Sequence, residues 1–181
     1  MTEELDNSLH VGTHTAEVLR RFVARLKGKL KLNPAACFVA ENPFNVSSIA
    51  LPDRAYIVSF EGSSFNDGEQ SLIYLTETAY VNVTCFNRLA AIDETRRADS
   101  LITKRDVNLF EMKRRALLAL VGWRLELEGE EQDIDLASYV KVSRCGKPQY
   151  MQTDSGSHGA FLPLTFSVSY AIDVCNGDYN V

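Results

Sequence analysis

Three histidines and four cysteines are the residues best able to ligate a metal or pair as nucleophile and base. His10 and His14 stand four apart, so on a helix they would share one face, as a zinc-binding pair does. Gly12 lies between them and no HExxH pattern occurs, so an exposed polar arm is the expectation there. Cys37, Cys85, Cys145 and Cys175 form no CxxC pair, so they read as small core residues or inert thiols, not as zinc ligands. His158 sits in a Ser/Gly stretch, SGSHG, but no GxSxG elbow offers it a nucleophile. The neighbouring carboxylates Glu130 and Glu131 belong to a charge run, which is usually solvated, and a glycosidase-like pair would need long-range geometry. Neither GxxxxGK[ST] nor GxGxxG is present. The expectation is a protein that is not an enzyme and has no cofactor, metal or small-molecule substrate.

The elements that would hold any site come next. At 181 residues, the chain fits one domain able to bury a full core. Hydrophobic residues make up 45% and charged ones 24%, which excludes a disordered composition. The N-terminal MTEELDNSLH has no apolar core and does not read as a signal peptide, so the cytoplasm is expected. No apolar run is long enough to span a membrane.

Residues 1–12 read as a loose arm. A helix is expected from Thr13 or Thr15, with Leu19, Phe22, Val23, Leu26 and Leu30 in one stripe and Asn33-Pro34 as its stop. Its other face carries Arg20, Arg21, Arg25, Lys27, Lys29 and Lys31. A short strand around Cys37 precedes the Asn42-Pro43 turn. AYIVSFE (55–61) reads as a strand and GSSFNDG (62–68) as a turn or hairpin tip. Residues 70–87 are strand-forming types, either one long strand bent near Thr76 to Thr78 or two strands. With the turn before them they suggest a projecting β-hairpin.

A second helix is expected over roughly Leu101 to Val121, ending at Gly122. Its last part, MKRRALLALVGWR, reads as a buried helix end, with Leu117, Leu120 and Val121 on the sheet and Trp123 over its edge. An acidic run follows: Glu126, Glu128, Glu130, Glu131, Asp133 and Asp135. LASYVKVSR (136–144) reads as a strand and 145–160 as a mobile loop. Phe161 to Val174 alternates cleanly, with Leu164, Phe166, Val168, Tyr170, Ile172 and Val174 on one side. The whole predicts an α+β fold: a mainly antiparallel sheet with two helices packed on one face.

The basic face of the first helix admits two uses. It could meet phosphate backbone, making the chain a small nucleic-acid- or protein-binding module. It could instead meet the acidic run of a neighbouring copy. Arg20, Arg21, Arg25, Glu128, Glu130 and Glu131 are then the expected interface residues, in a head-to-tail contact that closes a ring.

The helix ending ALLALVGWR begins a likeness that covers residues 13–175. With the helix from Val18 to Leu30, Leu51-Pro52 before AYIVSFEGS, a strand ending VNVTCFNRL and the closing LPLTFSVSYAID, the chain resembles the tail-terminator and tail-completion proteins of long-tailed bacteriophages, especially the Mu-like prophage tail family. The resemblance implies a non-enzymatic virion component, assembled in the host cytoplasm and carried in the virion tail. It implies a homo-oligomeric, hexameric ring that caps the tail tube. The implied partners are the tail-tube protein and a head–tail connector protein.

Overall fold

A computed structural model describes residues 10–44, 51–65, 74–89, 108–125, 139–152 and 158–173. The protein is α+β: among the described residues, two α-helices lie on one face of a six-stranded, mostly antiparallel sheet. Helix α1 is His10–Leu30 and α2 is Leu109–Leu120. The strands are β1 (Cys37–Val39), β2 (Arg54–Phe65), β3 (Tyr74–Leu89), β4 (Lys141–Cys145), β5 (Gln149–Gln152) and β6 (His158–Asp173). They lie in the order β1-β2-β3-β6-β4, with β5 also on β6. The β1–β2 pair is parallel and the other pairs are antiparallel.

The apolar stripe of α1 decides how it packs. Val18, Phe22 and Leu26 are wholly buried against Tyr56, Val58, Val81 and Phe166 of the sheet. Burying a side chain such as Phe22 contributes about 1.5–3 kcal/mol. The helix starts earlier than the sequence suggests and runs through Gly12, whose cost in a helix is only about 1 kcal/mol. It stops where Lys31 turns left-handed at φ 51°, two residues before Asn33-Pro34. Helix α2 starts at Asn108, whose side chain accepts from the Glu111 amide at 2.9 Å. Its predicted earlier part, 101–107, lies outside the described residues. Gly122 is left-handed at φ 75°, as a helix end requires.

Strands β3 and β6 pair over their full length, from Tyr74–Asp173 to Leu89–His158. The stretch after residue 70 is thus one strand from Tyr74, with no break at Thr76 to Thr78. Strand β2 also exceeds its predicted end. It passes through a bulge at Phe60/Gly62, with Gly62 at φ 143°, and continues to Phe65. The hairpin is not a lone two-stranded arm, because β6 flanks β3 throughout. The segment read as a loop, 145–160, contains β5 and the start of β6.

The second sheet face differs from the helix-covered one. Near β1 it holds a small apolar cluster of Leu51, Ala55, Ile57, Phe86 and Phe161. Beyond it the pairs are polar: Ser59 with Asn82, Asn82 with Thr165, Tyr80 with Ser167 and Thr78 with Ser169. Thr78 and Ser169 are joined through their hydroxyls at 2.8 Å.

Candidate assembly surface

The basic face of α1 is partly engaged within the chain. Arg21 pairs with Glu17 at 2.6 Å and Arg20 with the same carboxylate at 3.5 Å. The hydrogen bond from Arg21 is the main reason the Glu17 carboxyl is held below its ordinary value. Arg25 turns inward. Its guanidinium carbon lies 5.3 Å from the Trp123 ring centroid, and its Nε donates to the Ala119 carbonyl at 3.1 Å. Trp123 meets Phe22 edge-on, 5.7 Å between centroids. The GW junction after α2 is thus fastened to α1. Leu120 is buried and Leu117 packs against the core, while Val121 is 48% exposed.

Glu128, Glu130 and Glu131 lie outside the described residues. Among the described residues, Arg20 and Arg21 gather around Glu17 and Arg25 lies on Trp123.

Sequence reasoning did not single out the sheet's two edges. The first is formed by β1 and the upper half of β2. Strand β1 ends at Val39, opposite Val58, and the Ala40 amide closes it on the Val58 carbonyl at 2.9 Å. From Phe60 to Phe65, β2 has β3 on one side and no described strand on the other. Beside this edge a groove of about 620 Å³ is lined by Glu41, Asn42, Pro43, Phe44, Ser59, Phe60, Glu61 and Asn82. Glu61 is held across the sheet by the Thr165 hydroxyl, which donates to it at 2.7 Å.

The second edge is β4, exposed at every residue and carrying Lys141 and Arg144. It is bulged at Val142/Arg144. Among the described residues, five of the eight exposed large apolar side chains lie at or beside these two edges, and the other three, Phe110, Leu118 and Val121, lie on or just after α2. Val39, Phe60 and Phe65 lie at the first and Val142 at the second, with Tyr139 just before β4, where the chain is bridged to Arg124. The sequence signal was present in KVSRC, where charges alternate with small or apolar residues, a common dressing of edge strands.

Cys37 and Cys85 are buried, and burial pushes the Cys37 thiol up to about 12 and the Cys85 thiol well above its ordinary value. No cluster of three or more His, Cys, Asp or Glu able to hold a metal occurs among the described residues. No helix among them is long and apolar enough to cross a membrane. Compared with protein-family models and with curated proteins, the chain matches none.

Proposed function

We propose that this protein is a non-enzymatic structural subunit that assembles with its own copies into a ring. Following the resemblance of its sequence, that ring is the tail terminator of a long phage or prophage tail. It caps the tube, stops its growth and supports joining to the head. Its partners are further copies of itself, the tail-tube protein and a head–tail connector protein. The observation that carries this reading is that, among the described residues, β2 from Phe60 and β4 from Lys141 have no outer neighbour and, with the residues beside them, hold five of the eight exposed large apolar side chains. An open edge is an association template, and natural proteins cover it when it is long and apolar. A closed ring of copies covers both edges at once.

The test is light scattering coupled to size exclusion over a range of concentration and salt, with electron microscopy of the protein alone and added to growing tail tubes. Rings of one size, and tubes that stop growing when the protein is added, support the reading. A monomer at all concentrations that leaves tube growth unchanged overturns it.

A further inference from the structure

We infer that neighbouring copies join edge to edge, with β4 of one copy adding antiparallel to β2 of the next and Arg144 entering the groove beside Glu61. The inference rests on the ring reading and says which surfaces form the ring contact.

Strand direction allows it. Across the sheet, β2 and β6 run one way and β3 and β4 the other. A rotation about an axis along the strands preserves these directions. It brings β4 of one copy beside β2 of the next as an antiparallel pair, the geometry of an ordinary ladder. The contact is head-to-tail, so it closes into a ring when the rotation divides a full turn.

Length and position fit as well. β4 has five residues. The open part of β2 begins just past Val58, where β1 ends. A strand alternates every residue, so the N–H and C=O of Phe60 point to the same edge as those of Val58. A neighbour's β4 would therefore continue the line of β1 along the edge that β1 leaves open.

Register makes the pairing specific. Each strand has one bulge, at Phe60/Gly62 and at Val142/Arg144. A bulge guards an edge against generic strands because it breaks the ladder. When Arg144 is set opposite Glu61, the two bulges meet at Ser143 and Gly62. The flanking side chains then stay on matching faces. Cys145 and Val142 pair in their own sheet with Leu164 and Phe166, on the helix-covered face. Their new partners, Phe60 and Ser63, pair with Val81 and Ala79 on that same face. Arg144 and Lys141 sit beside Thr165 and Ser167 on the polar face. Their new partners, Glu61 and Ser64, bond Thr165 and Tyr80 on that face. A one-residue slip toward Ser59 would turn every one of these pairs to opposite faces, and a slip the other way would turn all but that of Arg144.

Charge agrees with register. Arg144 would face Glu61, with Glu41 on the other wall of the groove. Phe60, 40% exposed, and Val142, 45% exposed, would both be covered.

The test uses the native exposed thiol Cys145. Within one copy, Cys145 and residue 60 sit on outer strands separated by β3 and β6, about 14 Å apart at ordinary strand spacing. A disulfide needs Cβ atoms about 4 Å apart, so a bond between them must join two copies. Phe60→Cys is made in the full chain with Cys175→Ser, and oxidised alone and on tail tubes. The expected result is a covalent ladder rising to the ring number, absent from the parent with Phe60. Arg144→Glu and Glu61→Arg should each weaken assembly at least tenfold, and mixing the two variants should restore it.

Rings that give no ladder and ignore both charge variants overturn the edge contact and leave the ring reading standing. Dimers joined through Cys145 alone in the parent overturn it too, since they place β4 against β4. A monomer with no cross-link, alone and with tubes, overturns the ring reading and the contact together.

Discussion

Arg25 lies over the indole of Trp123, its guanidinium carbon 5.3 Å from the ring centroid, while its Nε bonds the last turn of α2. One side chain therefore ties the middle of α1 to the end of α2. A cation over indole contributes about 0.5–2 kcal/mol, and a hydrogen bond about 1 kcal/mol. Arg25→Met should cost about 1–2 kcal/mol in urea unfolding. Trp123→Leu should cost about as much, since it also removes the edge contact with Phe22. The pair should couple in a double-mutant cycle by about 0.5–1.5 kcal/mol. Strictly additive losses would mean that Arg25 does not act through Trp123.

Glu77 is 3% exposed on the helix-covered face, and the Tyr170 hydroxyl donates to its carboxylate at 2.8 Å. Burial first, and this carboxylate second, push the Tyr170 hydroxyl above its ordinary pKa, so it stays a donor throughout the working range. Tyr170→Phe leaves a buried acceptor short of its donor and should cost about 1–3 kcal/mol. In Glu77→Gln the Tyr170 bond can still form, to a neutral acceptor, and the loss should be smaller. Equal losses in the two variants would assign the cost to packing instead.

What the sequence reveals here is what local periodicity controls. The spacing of Phe22, Val23, Leu26 and Leu30 fixes the buried face of α1, and the alternation from Leu164 to Tyr170 fixes that of β6. Gly62 to Phe65 reads as a turn because Gly, Ser and Ser favour turns. Pairing with Tyr80 to Glu77 on β3 makes it strand instead. The strand at Gln149–Gln152 follows Pro148 without any alternation, and only its ladder with β6 defines it. The same holds for the surface. Glu41 and Glu61 are distant in sequence and share a groove only through the β1–β2 geometry. Arg25 looks like one of several cations on a solvated face. Its inward turn depends on where Trp123 arrives from the other helix.

Gly159 is a packing requirement. A Cβ there would lie 2.4 Å from Phe86 Cε2 and 3.1 Å from Phe161 Cε2. The two rings pack tilted by 48° at 5.0 Å between centroids, and both are buried. Gly159→Ala should therefore cost about 1–3 kcal/mol. For a domain of this size that lowers Tm by about 2–4 °C per kcal/mol. Adding Phe86→Leu should return part of the loss. A Gly159→Ala protein as stable as the parent would contradict the close approach.

Glu111 begins α2 with its carboxylate bonded to Arg114 at 2.8 Å and Arg115 at 2.9 Å. These two bonds hold its carboxyl down to about 2. Its folded value thus lies below the ordinary carboxylate value of about 4.3. The stabilisation is complete above that ordinary value and is lost as pH falls through the folded value. The protection factors of the Glu111 and Met112 amides, corrected for the intrinsic slowing of exchange in acid, should fall between about pH 4.3 and 2. In Glu111→Gln this acid-dependent step should disappear. A step that persists in the variant would belong to another carboxylate.

Thiol chemistry tests the core and the edge together. Cys37 and Cys85 are buried, and both thiols are pushed up by that burial, Cys37 to about 12. Thiolate is the reactive species, so at pH 8 both should resist a thiol reagent until the fold opens. Their labelling should track global unfolding in urea, as expected for groups in the central cluster. Cys145 is exposed and should label at once in the monomer with Cys175→Ser. In the assembled form its position opposite Phe60 of the next copy would cover it. Its labelling should then slow with rising protein concentration, in step with the growth of the scattering mass. A Cys145 rate that stays constant while the mass rises would place the contact elsewhere, and rapid labelling of Cys85 in the native protein would contradict its place in the core.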